Sequence, residues 1–354
     1  MTDQNTDTRP VAPRHAFDIA RLADWMKHTL GRLDGDVEVA QFKGGQSNPT
    51  YLVTAGRDRF VLRRKPPGKL LPSAHAVDRE FRVLRALADT EVPVARALGL
   101  CEDDAVIGTA FYLMEYVGGR VFWLPQLTEL ERPQRARIHD EANRVIAALH
   151  TVDPLAVGLG DYGKTGAYIA RQVARWSKQY QASATEVIPA MDRLMEWLPE
   201  NVPAGDETRI VHGDYRIDNL IFHATEPNVL AVLDWELSTL GHPLADFAYH
   251  CMIWRISPDL FRGLGGLDLA ALGVPTEQEY VAAYCRRTGR DGIPPRDWEY
   301  YLAYNMFRIA AILQGVYARA LQGNASNADA HKTGRITRPL AELAWQQVER
   351  LEKR

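Results

Sequence analysis

The texture of the chain changes once, at "VGGR" (Val117–Arg120), and that change limits the folds open to it. Upstream the pattern is short and strand-like. "DVEVAQFK" alternates apolar and polar residues, "PTYLVTAG" and "DRFVLRR" follow, and the link "TAGRD" has the makings of a hairpin turn. One helical stretch interrupts, "SAHAVDREFRVLRALAD", with Ser73 as a plausible N-cap and an apolar face at Val77, Phe81, Leu84 and Ala88. Two more strands are expected near "ARALGLCE" and "TAFYLMEYV". Downstream of the glycines the period becomes helical, near 132–150, 166–182, 276–288, 295–321 and 337–352. Only "RIVHG" and "NVLAVLDW" read as strands there. The expectation is an α+β chain of two lobes. Residues 1–16 form a polar, disordered leader. Residues 17–117 form a five-stranded antiparallel lobe with a lead-in helix at Phe17–Leu33 and one inserted helix. A flexible glycine joint leads to a mainly helical lobe, 118–354. The meeting of two lobes is a common place for a ligand.

Bulk properties exclude several classes of function. The chain has 354 residues, 46% hydrophobic and 25% charged, with a formal net charge of −3. That balance points to no nucleic acid and no anionic membrane. No apolar run is long enough to cross a bilayer. The three cysteines, Cys101, Cys251 and Cys285, are scattered without metal-type spacing, so a reduced cytoplasmic protein is the simplest reading. Composition leaves the oligomeric state open.

The chemistry concentrates at "VHGDYRIDNLIFH". His212, Asp214, Asp218 and Asn219 stand between apolar runs, where polar groups are costly to bury without partners. A further acid, Asp234, ends the strand-like "VLAVLDWE". Phosphoryl transfer from ATP needs these residue types. One carboxylate orients the attacking hydroxyl and accepts its proton, and a carboxylate with an amide oxygen holds Mg²⁺ on the phosphates. The competing reading is a turn that caps itself, and it is preferred for Asp218. A metal hydrolase built on His212 and Asp214 would lack ligands.

"HGDYRIDN" followed by "LDWE" resembles the aminoglycoside phosphotransferase family, a branch of the protein-kinase-like fold. The resemblance spans about residues 36 to 330. It is nearest to the kinase-like domain at the N-terminus of acyl-CoA dehydrogenase family members 10 and 11. The stretches "VLRRKPPGKLLPSAHAVDREFRVL" and "YGKTGAYIARQVARWSKQY" carry that nearer match. It implies a bilobal kinase-like fold with ATP and Mg²⁺ as cofactors. Asp214 falls on the catalytic position, Asn219 and Asp234 on the metal ligands, and Arg216 where related kinases place a Lys near the transferred phosphate. Asp246, in "GHPLADFAYH", matches an acid that braces the catalytic loop. His242 stands where the family commonly has Asp.

The same resemblance asks for a cation on the third strand paired with a Glu on the next helix. That position falls on Arg63, which can replace a Lys because guanidinium binds phosphate bidentately. Lys65 is the alternative, past the strand end. Glu80 shares a face with Val77, Leu84 and Leu87, so it points inward and needs a cation; the other reading of Glu80 is an exposed charge beside Arg79 or Arg82. In "FKGGQSNPTY", Gly44 and Gly45 permit close backbone approach while Ser47 and Asn48 can donate to phosphate, although a plain β-turn fits locally as well. The resemblance puts the backbone of Glu115 and Val117 against the adenine edge.

The expected activity is an ATP-dependent small-molecule kinase moving the γ-phosphoryl group to a hydroxyl. Lys164, Arg171, Arg175 and Lys178 suit an anionic acceptor, although a solvated basic face fits them as well, and the resemblance to the dehydrogenase-fused kinases implies a hydroxy acid or hydroxyacyl-CoA. The alternatives are an aminoglycoside or other small-alcohol kinase, or a nucleotide-binding pseudokinase. A protein kinase is disfavoured, since "LDWE" runs straight into "LSTLGHPLADF" without an activation loop. No dehydrogenase activity is expected, because no length remains for that domain.

Overall fold

The structure, a computed structural model, describes residues 7–43, 48–66, 75–322 and 330–353, with side chains from 334 onward in the last segment. Gly44, Gly45, Ser47 and Ser73 lie outside the described residues. The chain divides into two compact units. One runs to Phe122 and adds Leu155–Tyr162 and Asp218–Ser238; the other holds Trp123–Pro154, Gly163–Ile217 and the chain from Thr239 onward.

The first unit is built on one antiparallel sheet of six strands, ordered β1-β2-β3-β4-β6-β5. Its strands are β1 (Thr8–Arg9), β2 (Val37–Phe42), β3 (Thr50–Ala55), β4 (Asp58–Arg64), β5 (Ala97–Cys101) and β6 (Phe111–Glu115). Five were expected. The sixth, β1, comes from the stretch read as a disordered leader, and pairs Thr8 with Phe42 and Arg9 with Gln41. Two residues carry no readable alternation, so only the open edge of β2 recruits them. The lead-in helix α1 (Ile19–Leu30) starts on an Asp18 cap and buries Leu22 and Met26 against Tyr51, Val53, Leu62, Phe111 and Leu113 of the sheet. Helix α2 (Val77–Leu87) follows β4, and the short α3 (Asp104–Ile107) links β5 to β6.

The same unit contains a hairpin from far along the chain, β8 (Leu220–Phe222) against β9 (Val229–Val232), with Leu220 opposite Val232. The expected flexible joint is pinned to it. Arg120 N donates to Phe222 O and Phe222 N to Arg120 O, each at 2.8 Å. A Cβ on Gly119 would stand 2.3 Å from Phe222 O. Glycine is there for close packing rather than for mobility.

The second unit is mainly helical: α4 (Arg132–Thr151), α5 (Tyr168–Ser183), α6 (Pro189–Glu200), α7 (Pro243–Cys251), the short α8 (Pro258–Phe261) and α9 (Leu269–Leu272), α10 (Glu277–Thr288), α11 (Pro295–Leu321) and α12 (Ala330–Glu352). A two-stranded ribbon, β7 (Arg209–Val211) with β10 (Thr239–Gly241), holds the loop that follows β7. Around α7 the core is aromatic: Phe247 stacks on Tyr284 with ring centres 3.8 Å apart and contacts Trp298. No helix among the described residues is long and apolar enough to cross a membrane.

Candidate active site

In the first unit, Arg63 is the centre. It is the penultimate residue of β4 and is buried. Its Nε lies 2.7 Å from Glu80 Oε2 on α2, and its Nη2 lies 2.7 Å from Asp234 Oδ1 and 3.4 Å from Glu236 Oε2. Burial works against the cation, but Glu80, Tyr112 and Asp234 outweigh it and hold the guanidinium more firmly protonated than in water. Lys65 sits past the strand, 3.7 Å from Asp78.

Glu80 is 1% exposed. Burial first, and Asp234 further, raise its carboxyl above the ordinary range, although Arg63, Tyr112 and Asn48 pull against that rise. Tyr112 Oη donates to Oε2 at 3.0 Å and Asn48 Nδ2 to Oε1 at 2.7 Å. Two donors and one cation thus surround the two oxygens. This corrects one expectation. Asn48 was read as a donor to phosphate, but it is fully buried and its amide is committed to Glu80. A buried carboxylate beside a single cation leaves lone pairs to satisfy, and Asn48 satisfies one of them. Glu115 closes β6, and its amide donates to Arg96 O at 3.0 Å; Val117 lies two residues on.

The hairpin delivers the other two residues of this unit. Asn219 precedes β8 and Asp234 follows β9, and Leu233 N donates to Asn219 O at 2.8 Å. Asp234 adopts φ +63°, the left-handed region that short polar side chains tolerate best. Its side chain is 36% exposed. Together they offer a carboxylate and an amide oxygen, hard donors of the kind Mg²⁺ selects.

In the second unit, the loop after β7 turns at Gly213, φ +85°. Asp246, in the first turn of α7, holds it from beneath: Oδ2 accepts from His212 N and Oδ1 from Gly213 N, both at 2.8 Å. His150 Nε2 lies 3.2 Å from Oδ2. Burial raises the Asp246 carboxyl, but these contacts win and keep it below the ordinary range. Asp214 N donates to His212 Nδ1 at 3.2 Å, and Arg216 Nε lies 3.8 Å from Asp214 Oδ1. Tyr249 Oη donates to the same Oδ1 in a short hydrogen bond. Arg308 of α11 donates to Gly213 O at 2.7 Å and lies over the Tyr249 ring, 5.0 Å from its centre. His242 caps α7, contacts Tyr301 Oη at 3.3 Å, and is driven by burial to a pKa of about 4.

Tyr249, Arg308 and Tyr112 were not anticipated. Tyr249 stands three after Asp246, so helical spacing puts both on one face. Arg308 is a lone charge inside the apolar run "MFRIAAIL", which flags a buried cation. Tyr112 gives no such signal.

Solved structures define the class first. A Ralstonia eutropha protein, classed by inference as an aminoglycoside phosphotransferase, superposes with a TM-score of 0.88 at 54% identity, covering 95% of this chain and 99% of that one. A thermostable mutant of an aminoglycoside phosphotransferase, in ternary complex with AMP-PNP and hygromycin B, shares the fold at TM-score 0.59 and 18% identity, covering 92% of this chain and 98% of that one. The chain has the kinase-like fold of the aminoglycoside phosphotransferases. Residues 38–301 match the model of the "Phosphotransferase enzyme family", and the chain belongs to that family. It is also 50% identical over 343 residues to acyl-CoA dehydrogenase family member 10 of Mus musculus, which covers 96% of this chain but 32% of that protein. The chain spans less than half the length of the curated relatives it matches.

Proposed function

We propose that the chain transfers the γ-phosphoryl group of ATP to a hydroxyl of a small molecule. The observation that carries this is Arg63, a buried cation shared between Glu80 and Asp234 in a member of a phosphotransferase family. Arg63 would align the α- and β-phosphates, with Glu80 fixing its angle. Asn219 and Asp234 would hold Mg²⁺, which neutralises charge on the phosphates when bound. Gly44, Gly45 and Ser47 would cover the phosphates, and the backbone of Glu115 and Val117 would meet the adenine. The AMP-PNP held by a relative of the same fold supports a nucleotide here.

In the transfer, the acceptor oxygen bonds to the γ-phosphorus, the bond from that phosphorus to the β,γ-bridging oxygen breaks, and ADP leaves with its electron pair. The hydroxyl proton goes to Asp214. Arg216 would steady charge on the moving group. Asp214→Asn should keep nucleotide affinity and lose transfer by roughly three to four orders of magnitude. Retained turnover would mean that the active site is misassigned.

For the acceptor we favour an anionic hydroxyl compound, a hydroxy acid or hydroxyacyl-CoA. Arg175 and Lys178 are exposed on α5, while Arg171 donates to the carbonyl of Lys164 and so secures the loop before the helix. The likeness to acyl-CoA dehydrogenase family member 10 fits a step that converts a hydroxyl into a leaving group. The hygromycin B complex of a shared-fold protein supports the competing aminoglycoside reading. ATP consumption measured side by side with hydroxyacyl-CoAs, free hydroxy acids and aminoglycosides separates them. A preference for aminoglycosides would overturn the anionic reading, and a nucleotide-binding chain without turnover on any acceptor would point to the pseudokinase.

A further inference from the structure

We propose that Tyr249 is a positioning residue that sets the orientation of the Asp214 carboxylate, with Arg308 holding the tyrosine in place. The proposal rests on Asp214 being the base of the transfer. A carboxylate turns easily about its last bond, because that sp³–sp² torsion is broad. Backbone support alone therefore does not fix where its oxygens stand. Asp246 fixes the backbone, through the amides of His212 and Gly213. Tyr249, one turn further along the same helix, fixes the side chain, by donating to Oδ1. One rigid element thus controls both the position and the rotation of Asp214. Pinning Oδ1 sets the carboxylate plane, and with it the place where the second oxygen can meet the acceptor proton.

The tyrosine is itself constrained. It is 3% exposed. Arg308 lies over its ring face and donates to Gly213 O, so cation and loop are coupled. Burial first, and then Asp214, raise the phenol well above its usual range, which keeps it a donor at working pH. The charged and titratable groups around the pair are His212, Arg216, Asp246 and Arg308.

The test compares Tyr249→Phe with the full-length wild type, using the best acceptor from the panel and water as the second acceptor. A residue that only fills the core would lower the active fraction and reduce both reactions equally. A positioning residue changes their ratio, because transfer needs the hydroxyl aligned on Asp214 more strictly than hydrolysis needs a small, mobile water. We expect kcat for transfer to fall about 10- to 100-fold, KM for ATP to stay within about twofold, and ATP consumed per acceptor phosphorylated to rise. Should Tyr249→Phe fold poorly, Arg308→Lys keeps the charge, loses the planar fork, and should shift the same ratio more weakly. Unchanged kcat, or a proportional fall in transfer and hydrolysis, would overturn the proposal. If Asp214→Asn is inactive while Tyr249→Phe is normal, only this inference fails; if Asp214→Asn is active, the reading beneath it fails.

Discussion

Removing the charge of Glu80 gives a direct measure of what the buried cluster contributes. In Glu80→Gln the shape is kept, but Arg63 loses a carboxylate 2.7 Å away. At an effective dielectric of about 20, Coulomb attraction at that distance is about 6 kcal/mol. Part is offset by the relief of desolvating one ion, and part by Asp234, which remains 2.7 Å from Arg63. The replacement amide also sets two N–H donors among groups that are themselves donors: Arg63, Asn48 and Tyr112. The net expectation is a loss of about 2–4 kcal/mol in the local stability of the unit. Hydrogen–deuterium exchange of peptides covering β4, α2 and β6 reads this directly, as faster exchange by about 30- to 1000-fold. ATP affinity should drop in parallel, since Arg63 would lean towards Asp234 and Glu236. Unchanged exchange together with unchanged ATP affinity would refute the claim that Glu80 orders Arg63.

Three further outcomes rest on particular residues. Arg63→Ala should weaken ATP binding or its alignment while Arg63→Lys keeps much of the activity; if Lys65→Ala cripples ATP kinetics instead, Arg63 is not the phosphate ligand. Three buried histidines set the acid behaviour: burial drives His139 and His242 to about 4 and His250 to about 3. Their unfolded values lie near 6.5, so below that pH the unfolded chain takes up protons that the folded chain refuses, and stability falls as pH drops from 6.5 towards 4. The slope should reach about 4 kcal/mol per pH unit if all three act together, read from urea melts at stepped pH; a flat response across that window would contradict their burial as neutral rings. Asp246, whose carboxyl is held low, acts with the same sign in a lower window: its stabilisation is complete above the ordinary carboxylate value and is lost as pH falls below it.

The parts legible in the sequence are those with strong local signals. Arg63 and Glu80 were readable as partners because the family resemblance asks for a cation at Arg63 and the helix face turns Glu80 inward, and the structure places them in an ion pair. The helices near 132–150 and 295–321 carry sustained periodicity and are found at Arg132–Thr151 and Pro295–Leu321. Strands β8 and β10 and helices α6 and α7 were not separated, since their three-residue strands are too short to alternate and α7 is buried on every side. β1 depends on an edge contributed by a distant strand. Asn48 was misread for a related reason: an Asn beside a glycine pair suits a phosphate loop, and only the tertiary placement of Glu80 gives its amide another partner. The tie between Tyr249 and Asp214 crosses from a loop to a helix, and no local pattern encodes it.

The first unit is discontinuous, and this shapes how the chain can be made. On a ribosome the sheet emerges early, but Asp218–Ser238 follows about a hundred residues after Phe122. At about 5–20 residues per second, Arg63 waits roughly 5–20 s with Glu80 but without Asp234 and Glu236. Through that interval the nascent sheet holds a cation without its second counter-charge, and the joint at Gly119 has no β8 backbone to pair with. Cotranslational assembly should therefore finish only when the hairpin arrives, which would make the speed of translation between Phe122 and Asp218 a determinant of yield.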